Sequence, residues 1–227
     1  MLTIIIPSYN EESIIKNTAD ALLQWCSAQS FLSEIIFVNN NSTDRTLEIL
    51  NNYKTEKNIH IVNEKVVGKG SAIKRGVIES NFNKILILDA DLSANITEAD
   101  AIDFSDDELL IIGSRFLGSQ VNTPNTRLVI STIFNFLTRL IFNVSFRDTQ
   151  CGFKYISSLN TKKIFENITS NGFLYDIDLI LQSGEFDLNI KEQPVHYEFN
   201  RDSSISVFKN LLTVLSDVFK LKKKYSK

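Results

Sequence analysis

Lys84-Ile85-Leu86-Ile87-Leu88-Asp89-Ala90-Asp91-Leu92-Ser93 runs from an unbroken apolar segment straight into two carboxylates. The apolar run, bounded by polar residues, predicts a short strand over Lys84–Asp89, buried on both faces. Two acids two residues apart at a strand end repel each other and gain nothing from a core. They suit Mg2+ or Mn2+, which binds one or two carboxylates together with substrate phosphates. At about 3.3 Å per residue the two Cα atoms stand roughly 6–7 Å apart, too far for both to bind directly. Asp91 is therefore the expected metal ligand, with Asp89 acting through water or a ligand hydroxyl and Ser93 adding an oxygen. Taken alone, this D-x-D motif has a plainer alternative, an acidic turn that only caps the chain.

Working outward, Leu2–Pro7, Glu34–Asn39, Ile59–Val62 and Leu109–Gly113 have the same character and predict further buried strands. Between them Glu12–Ala28, Asp44–Tyr53 and Ser71–Glu79 carry apolar residues at helical spacing, with Asn10 and Ser42 as expected N-caps. Strand–helix alternation predicts an α/β fold, a mostly parallel central sheet with helices on both faces. Ligands of such sheets bind beyond the carboxyl ends of the strands. Three polar clusters follow strands and should meet there: Ser8-Tyr9-Asn10-Glu11, Asn39-Asn40-Asn41-Ser42-Thr43-Asp44 and Asp89-Ala90-Asp91.

The chain has 227 residues, 43% hydrophobic and 22% charged, ordinary values for a globular domain with a core. Two cysteines are too few for a disulfide scaffold, and the N-terminus carries no basic leader, so a reduced, cytosolic setting is expected. From Ile205 onward six lysines face one acid, Asp217, whereas the rest of the chain is acidic. An acidic body argues against nucleic acid as a partner. The basic tail suits either an anionic membrane or a solvated helix end. Leu128–Val144 is mostly apolar, yet Ser131, Asn135, Thr138 and Arg139 recur at helical spacing and mark one polar face. Ser206–Leu221 is a second amphipathic helix. Each is either a core helix or an interfacial one, and neither is an uninterrupted span. The expected division is a domain over 1–204 and an amphipathic helix with basic tail over 205–227.

Gly68-Lys69-Gly70 before a helix is either a phosphate-approaching loop or a plain glycine entry. His60 and His196 have no metal or nucleophile partners in the sequence, and Cys151 lacks an activating motif.

Together these pieces resemble family 2 glycosyltransferases of the GT-A fold. The resemblance rests on Ile4-Ile5-Ile6-Pro7-Ser8-Tyr9-Asn10-Glu11-Glu12, Ile36-Phe37-Val38-Asn39-Asn40-Asn41-Ser42-Thr43-Asp44, Gly68-Lys69-Gly70 and Asp89-Ala90-Asp91-Leu92-Ser93. Gly113-Ser114-Arg115-Phe116, Arg147-Asp148-Thr149-Gln150-Cys151-Gly152-Phe153-Lys154 and Tyr175-Asp176-Ile177-Asp178-Leu179 look like the polyprenyl-phosphate branch, nearest the dolichyl-phosphate β-glucosyltransferases. Where that family usually has Val-Asp-Asp-Gly-Ser, this chain has Val38-Asn39-Asn40-Asn41-Ser42.

The resemblance implies inverting transfer of a hexose, glucose foremost, from a nucleotide sugar (UDP-glucose, or a GDP-sugar) to a lipid phosphate at the cytoplasmic face of a membrane. It implies that Pro7, Tyr9, Glu11, Asn39, Lys69, Asp89 and Ala90 hold the nucleotide sugar. Arg115, Arg127 and Arg201 are candidates for phosphate contact, because guanidinium groups match phosphate oxygens bidentately. Asp148, then Asp176, are the candidate carboxylates at the reacting centre. A phosphate monoester has a second pKa of about 6 and is already nucleophilic at neutral pH, so it needs no general base. Two alternatives remain at this stage: transfer to a saccharide or cell-surface polymer, and a non-catalytic nucleotide-sugar-binding protein.

Overall fold

The computed structural model describes residues 1–117, 121–122, 125–198 and 211–226, without the side chains of 121–122, 125–131 and 211–215. In chain order the elements are β1 (Leu2–Ser8), α1 (Ile15–Ala28), β2 (Ser33–Asn39), α2 (Thr46–Asn51), β3 (Ile59–Asn63), α3 (Lys69–Glu79) and β4 (Lys84–Ile87). A short 3-10 helix (Ile96–Ala101) follows, then β5 (Leu109–Ser114), β6 (Val121–Asn122), α4 (Asn125–Phe142), β7 (Lys154–Ser157) and α5 (Thr161–Asn167). The chain continues through α6 (Tyr175–Glu185), β8 (Asn189–Pro194), β9 (Tyr197–Glu198) and α7 (Leu211–Tyr225).

Seven strands form one sheet in the order β3-β2-β1-β4-β7-β5-β8. All run in one direction except β7, which is antiparallel to both neighbours. The strands alternate their side chains between two cores. Ile4, Ile6, Phe37 and Leu86 pack with Ile15, Leu22 and Trp25 of α1 on one face. Ile5, Val38, Ile87 and Ile112 pack with Ile73, Val77 and Leu179 of α3 and α6 on the other. Apolar runs without polar alternation are what a sheet covered on both faces requires.

The insertion of β7 positions the site. Because it runs against the sheet, its N-terminal residue Lys154 lies beside Ile87 and Ile112, near the carboxyl ends of β4 and β5. The preceding segment, Asp148–Phe153, is thereby carried to the edge where β1, β2, β4 and β5 end.

Three expectations need correction. β4 stops at Ile87, so Asp89 lies in the turn beyond it. Asn10 and Ser42 do not cap helices: the residues before α1 and α2 are Ile14 and Arg45. Instead the two loops, neighbours because β1 and β2 are, satisfy each other: the Asn10 N–H donates to Ser42 Oγ at 3.1 Å and the Thr43 N–H to Asn10 Oδ1 at 2.8 Å.

The helix over Leu128–Val144 forms as α4, turned with its polar side inward. Asn135 and Thr138 are buried, whereas Ile133, Phe136, Leu137 and Leu140 are exposed. The tail helix runs on to Tyr225, and its end packs on the body rather than standing free. Leu221 is buried against Leu174 and Ile177. Asp178, with no exposed side-chain surface, accepts from Lys224 Nζ at 2.8 Å and Tyr225 Oη at 2.6 Å. Lys224 is thus an internal partner, while Lys220, Lys222 and Lys223 remain exposed. Val207 and Phe208 of the expected amphipathic face lie outside the described residues. Among the described residues no helix is long and apolar enough to cross a membrane.

Candidate active site

At the carboxyl edge of the sheet three ion pairs converge. Lys69, the first residue of α3, places Nζ 2.5 Å from Asp89 Oδ1. Gly68 before it has φ 136°, and a Cβ there would meet the Asn171 carbonyl oxygen at 2.1 Å. That close packing explains the Gly-Lys-Gly entry, and it aims the lysine at the acid. Burial works against charge on Asp89, but Lys69 outweighs it and holds the carboxyl below its ordinary value. A Cβ on Gly152 would fall 2.1 Å from Asp89 Oδ2, so only glycine lets this acid lie against the 151–153 backbone.

Arg115, one residue past β5, donates Nε and Nη2 to Asp148 Oδ2 and Oδ1 at 2.6 and 2.9 Å. The Arg115 and Gln150 N–H groups also donate to Asp148. From α4, Asn135 Oδ1 accepts from the Thr149 N–H and hydroxyl at 3.0 and 2.8 Å, while its Nδ2 lies 3.4 Å from Asp148 Oδ1. Burial would raise the Asp148 carboxyl, yet Arg115 keeps it low. Lys154 and Asp176 form the third pair, 2.6 Å apart with essentially no exposed surface on either. The Tyr175 ring neighbours both Lys69 and Lys154, each ammonium 5.8 Å from its centroid.

Asp148 and Asp176, expected as carboxylates at the reacting centre, are therefore buried partners of cations. Each is closed to solvent and engaged with its cation, a geometry that holds Arg115 and Lys154 in position.

Asp91 and Glu11 differ from these pairs because no cation among the described residues is bonded to them. Burial, then the neighbouring Asp89, raises the Asp91 carboxyl. Its Oδ1 accepts from the Ser93 N–H at 3.0 Å. Burial, followed by Asp91, Asp89 and Asp44, pushes Glu11 up to about 7. Glu11 Oε2 is buried with no partner among the described residues. Acids that raise one another's pKa in this way fit a divalent cation, whose charge would relieve the repulsion. Among the described residues no three acidic, histidine or cysteine side chains form a ready metal cage.

The asparagine run has a structural explanation. Asn41 has φ 63°, a left-handed conformation asparagine tolerates better than most residues. Asn40 donates Nδ2 to the Glu64 and Val66 carbonyls at 3.0 and 2.7 Å and accepts the Gly68 N–H at 2.9 Å. An aspartate there has no donor for those carbonyls. Asn39 donates to Asn63 Oδ1 at 2.9 Å.

Of the remaining expected residues, Pro7 is the last but one of β1 and Tyr9 is the first residue after it, exposed. Ala90 is buried and its carbonyl accepts from Thr18 Oγ1 at 2.5 Å, tying the acidic turn to α1. Ser93 is buried beside Asp91. Arg127 falls in α4 with its side chain outside the described residues, and Arg201 lies wholly outside them. Neither histidine belongs to the ion-pair cluster: His60 sits on edge strand β3, 3.6 Å from Glu34, and His196 lies 3.2 Å from Glu198.

Sequence reasoning missed Asn135, Lys154 and Tyr197. The Tyr197 ring lies 5.3 Å from the Arg115 guanidinium. Burial, then Asp89, pushes its hydroxyl to about 12. The local sequence of Tyr197 carries no signal for this. A lysine beginning an apolar strand was the available clue for Lys154.

Solved structures with this architecture include glucosyl-3-phosphoglycerate synthase from Mycobacterium tuberculosis in complex with uridine diphosphate. It matches with TM-score 0.66 and 14% identity over 98% of this chain and 80% of that one. Another complex of the same enzyme holds Mn2+, UDP-glucose and phosphoglyceric acid. Mannosyl-3-phosphoglycerate synthase from Rubrobacter xylanophilus matches with TM-score 0.67 and 14% identity, over 100% and 76% of the two chains. These likenesses establish the GT-A fold.

The chain belongs to glycosyl transferase family 2, whose model matches residues 3–165. Among curated proteins it is 29% identical to a dolichyl-phosphate beta-glucosyltransferase of Trichomonas vaginalis, over 97% of this chain and 72% of the relative. It is 26% identical to the dolichyl-phosphate beta-glucosyltransferase of Drosophila melanogaster, over 99% and 75%. The family and branch expected from the motifs are thereby borne out.

Proposed function

We propose that this protein transfers glucose, with inversion, from UDP-glucose to a polyprenyl phosphate of the dolichyl type at the cytoplasmic face of a membrane. The observation that carries the reading is α4. Its outer side exposes Ile133, Phe136, Leu137 and Leu140, while its inner residue Asn135 bonds to the segment that holds Arg115. A surface suited to lipid thus lies on the same helix that touches the site, as a lipid-borne acceptor requires. The exposed Phe219 of α7 supplies further apolar surface, with Lys220, Lys222 and Lys223 nearby in sequence for anionic headgroups.

In this reading Pro7, Tyr9, Glu11 and Asn39 hold the nucleoside at the ends of β1 and β2. Asp91, with Asp89 and Ser93 beside it, would hold Mg2+ or Mn2+, which when bound neutralises charge on the diphosphate. Arg115, fixed by Asp148, keeps further N–H donors for phosphate oxygens. Arg127 and Arg201 are proposed for the same purpose. Lys69 holds Asp89 ionised and adds positive charge at the diphosphate end of the site. An oxygen of the acceptor phosphate attacks the anomeric carbon as the bond from that carbon to the diphosphate oxygen breaks, releasing UDP. No proton need be removed from a phosphate dianion, in keeping with the ion-paired state of Asp148 and Asp176.

The test is incubation with radiolabelled UDP-glucose, a divalent metal and either polyprenyl phosphate or a saccharide acceptor. Label should enter the organic phase only with the lipid phosphate. Label confined to a saccharide product would overturn the lipid acceptor.

A further inference from the structure

The buried carboxylate of Asp178 in α6 turns its two oxygens to different parts of the chain. Oδ1 accepts from Lys224 Nζ and Tyr225 Oη in the last turn of α7, at 2.8 and 2.6 Å. Oδ2 accepts from the Thr169 and Ser170 N–H groups at 2.8 and 3.1 Å, and from the Thr169 hydroxyl at 3.1 Å. Both tail groups have a second hold: Lys224 Nζ donates to the Asn167 carbonyl at 2.7 Å, and Tyr225 Oη accepts from Gln182 Nε2 at 2.7 Å. The segment gripped in this way is the one on which α3 starts. The Asn171 carbonyl accepts the Ser71 N–H at 3.1 Å. A Cβ on Gly70 would meet the Ser170 carbonyl oxygen at 2.3 Å, and Gly68 packs as closely on Asn171. Between these two glycines stands Lys69, whose ammonium lies against Asp89.

We propose that Asp178, Lys224 and Tyr225 are positioning residues for glucose transfer: the docked end of α7 fixes the 169–171 segment, and that segment fixes Lys69 against Asp89. The role presupposes the transfer reaction proposed above. Its physical basis is the cost of a buried carboxylate without its cation. Deprived of Lys224, Asp178 takes up a proton or draws in water, and either change loosens its grip on the Thr169 and Ser170 N–H groups. The first turn of α3 then loses the surface it packs on, and the Lys69 ammonium is no longer held to one place. Lys224 thus differs from Lys220, Lys222 and Lys223, which are exposed and free to meet headgroups. Docking of the tail and attachment to a membrane are separate tasks of the same helix, and separate residues carry them.

The experiment compares the full-length wild type with Lys224→Met/Tyr225→Phe and with Lys224→Arg, by amide hydrogen exchange without ligands and by steady-state transfer from UDP-glucose to polyprenyl phosphate. In the double variant exchange should rise severalfold at Thr169 and Ser170, and also at Ser71, which no substituted residue touches. Its kcat should fall about tenfold, the scale of a slightly misplaced group, with the KM for the lipid and sedimentation with anionic vesicles unchanged. Lys224→Arg keeps the cation and should keep kcat and Ser71 protection near wild type. The substitutions lie in the last turn of α7, and a thermal melt checks that both variants are folded at the assay temperature. An unchanged kcat in the double variant overturns the role, as does a raised lipid KM with kcat intact, which would make the tail an attachment device alone. A lowered kcat with Ser71 exchange unchanged overturns the route through α3, and equal losses in both variants overturn the part given to the charge. A wild type that transfers no glucose overturns the proposed function itself, and this role with it.

Discussion

Arg115 and Asp148 face each other as a two-pronged ion pair, Nε to Oδ2 at 2.6 Å and Nη2 to Oδ1 at 2.9 Å, with the carboxylate wholly buried. The acid thereby fixes the plane of the guanidinium and determines where its remaining donors point. Asp148→Asn keeps the shape but loses the charge and one acceptor. It should lower kcat by about 10²-fold, the scale of a small misplacement of a positioning group, with donor Kd nearly unchanged. Steady-state kinetics together with donor titration separates the two effects. Equal loss of donor binding would make Asp148 a binding residue instead.

Asp91 should be essential to transfer and dispensable to the fold. Among the described residues no cation is bonded to its carboxylate, which accepts from the Ser93 N–H at 3.0 Å. Asp91→Asn should abolish metal-stimulated transfer and leave the melting temperature within a few degrees or slightly higher, since a repelling charge is removed. Wild-type turnover by this variant would remove Asp91 from the metal site.

Lys154 and Asp176 should behave as a structural unit. Lys154→Met leaves the Asp176 carboxylate buried without its partner, a change that costs about 3–5 kcal/mol. The double variant Lys154→Met/Asp176→Asn should recover much of that loss, because neither charge is then stranded. Denaturant unfolding of the two single variants and the double completes the cycle. Additive losses would show that the two charges act independently.

Glu11 gives stability a distinctive pH dependence. An unfolded glutamate ionises near 4.5, while in the fold burial and the nearby acids push it to about 7. Between those values the folded chain retains a proton that the unfolded chain has released. Stability therefore falls as pH rises through the window, and below it the effect vanishes. Allowing for solvent screening, the fall is about 2 kcal/mol, or roughly 4–8 °C in melting temperature. Metal-free melts of the wild type and Glu11→Gln should diverge by that amount from acid to neutral pH. Parallel curves would contradict it.

The outer side of α4 should govern attachment to membranes. Phe136 and Leu140 are 62% and 70% exposed, so replacing both with serine removes apolar surface without opening a core. Sedimentation with anionic vesicles should decrease severalfold while UDP binding persists. Unchanged sedimentation would sink the role proposed for this helix.

Sequence alone specifies the covered α/β sheet, since runs such as Ile4-Ile5-Ile6 and Ile85-Leu86-Ile87-Leu88 leave no polar face for solvent. It also determined which loops would gather, because parallel strands put all their carboxyl ends on one edge. Glu11, Asn39, Asp89 and Asp91 were legible on that ground: local order along the chain carried the information. The partners were not. Which cation neutralises Asp89, and whether Asp148 and Asp176 are free or buried, depends on β7 entering the sheet backwards between β4 and β5 and drawing the 148–154 segment into the site. The inward turn of Asn135 and the capture of Lys224 by Asp178 likewise follow from packing between distant segments. Hydrophobic pattern is a property of neighbours along the chain, whereas pairing of charges is decided by which strands and helices come to lie side by side.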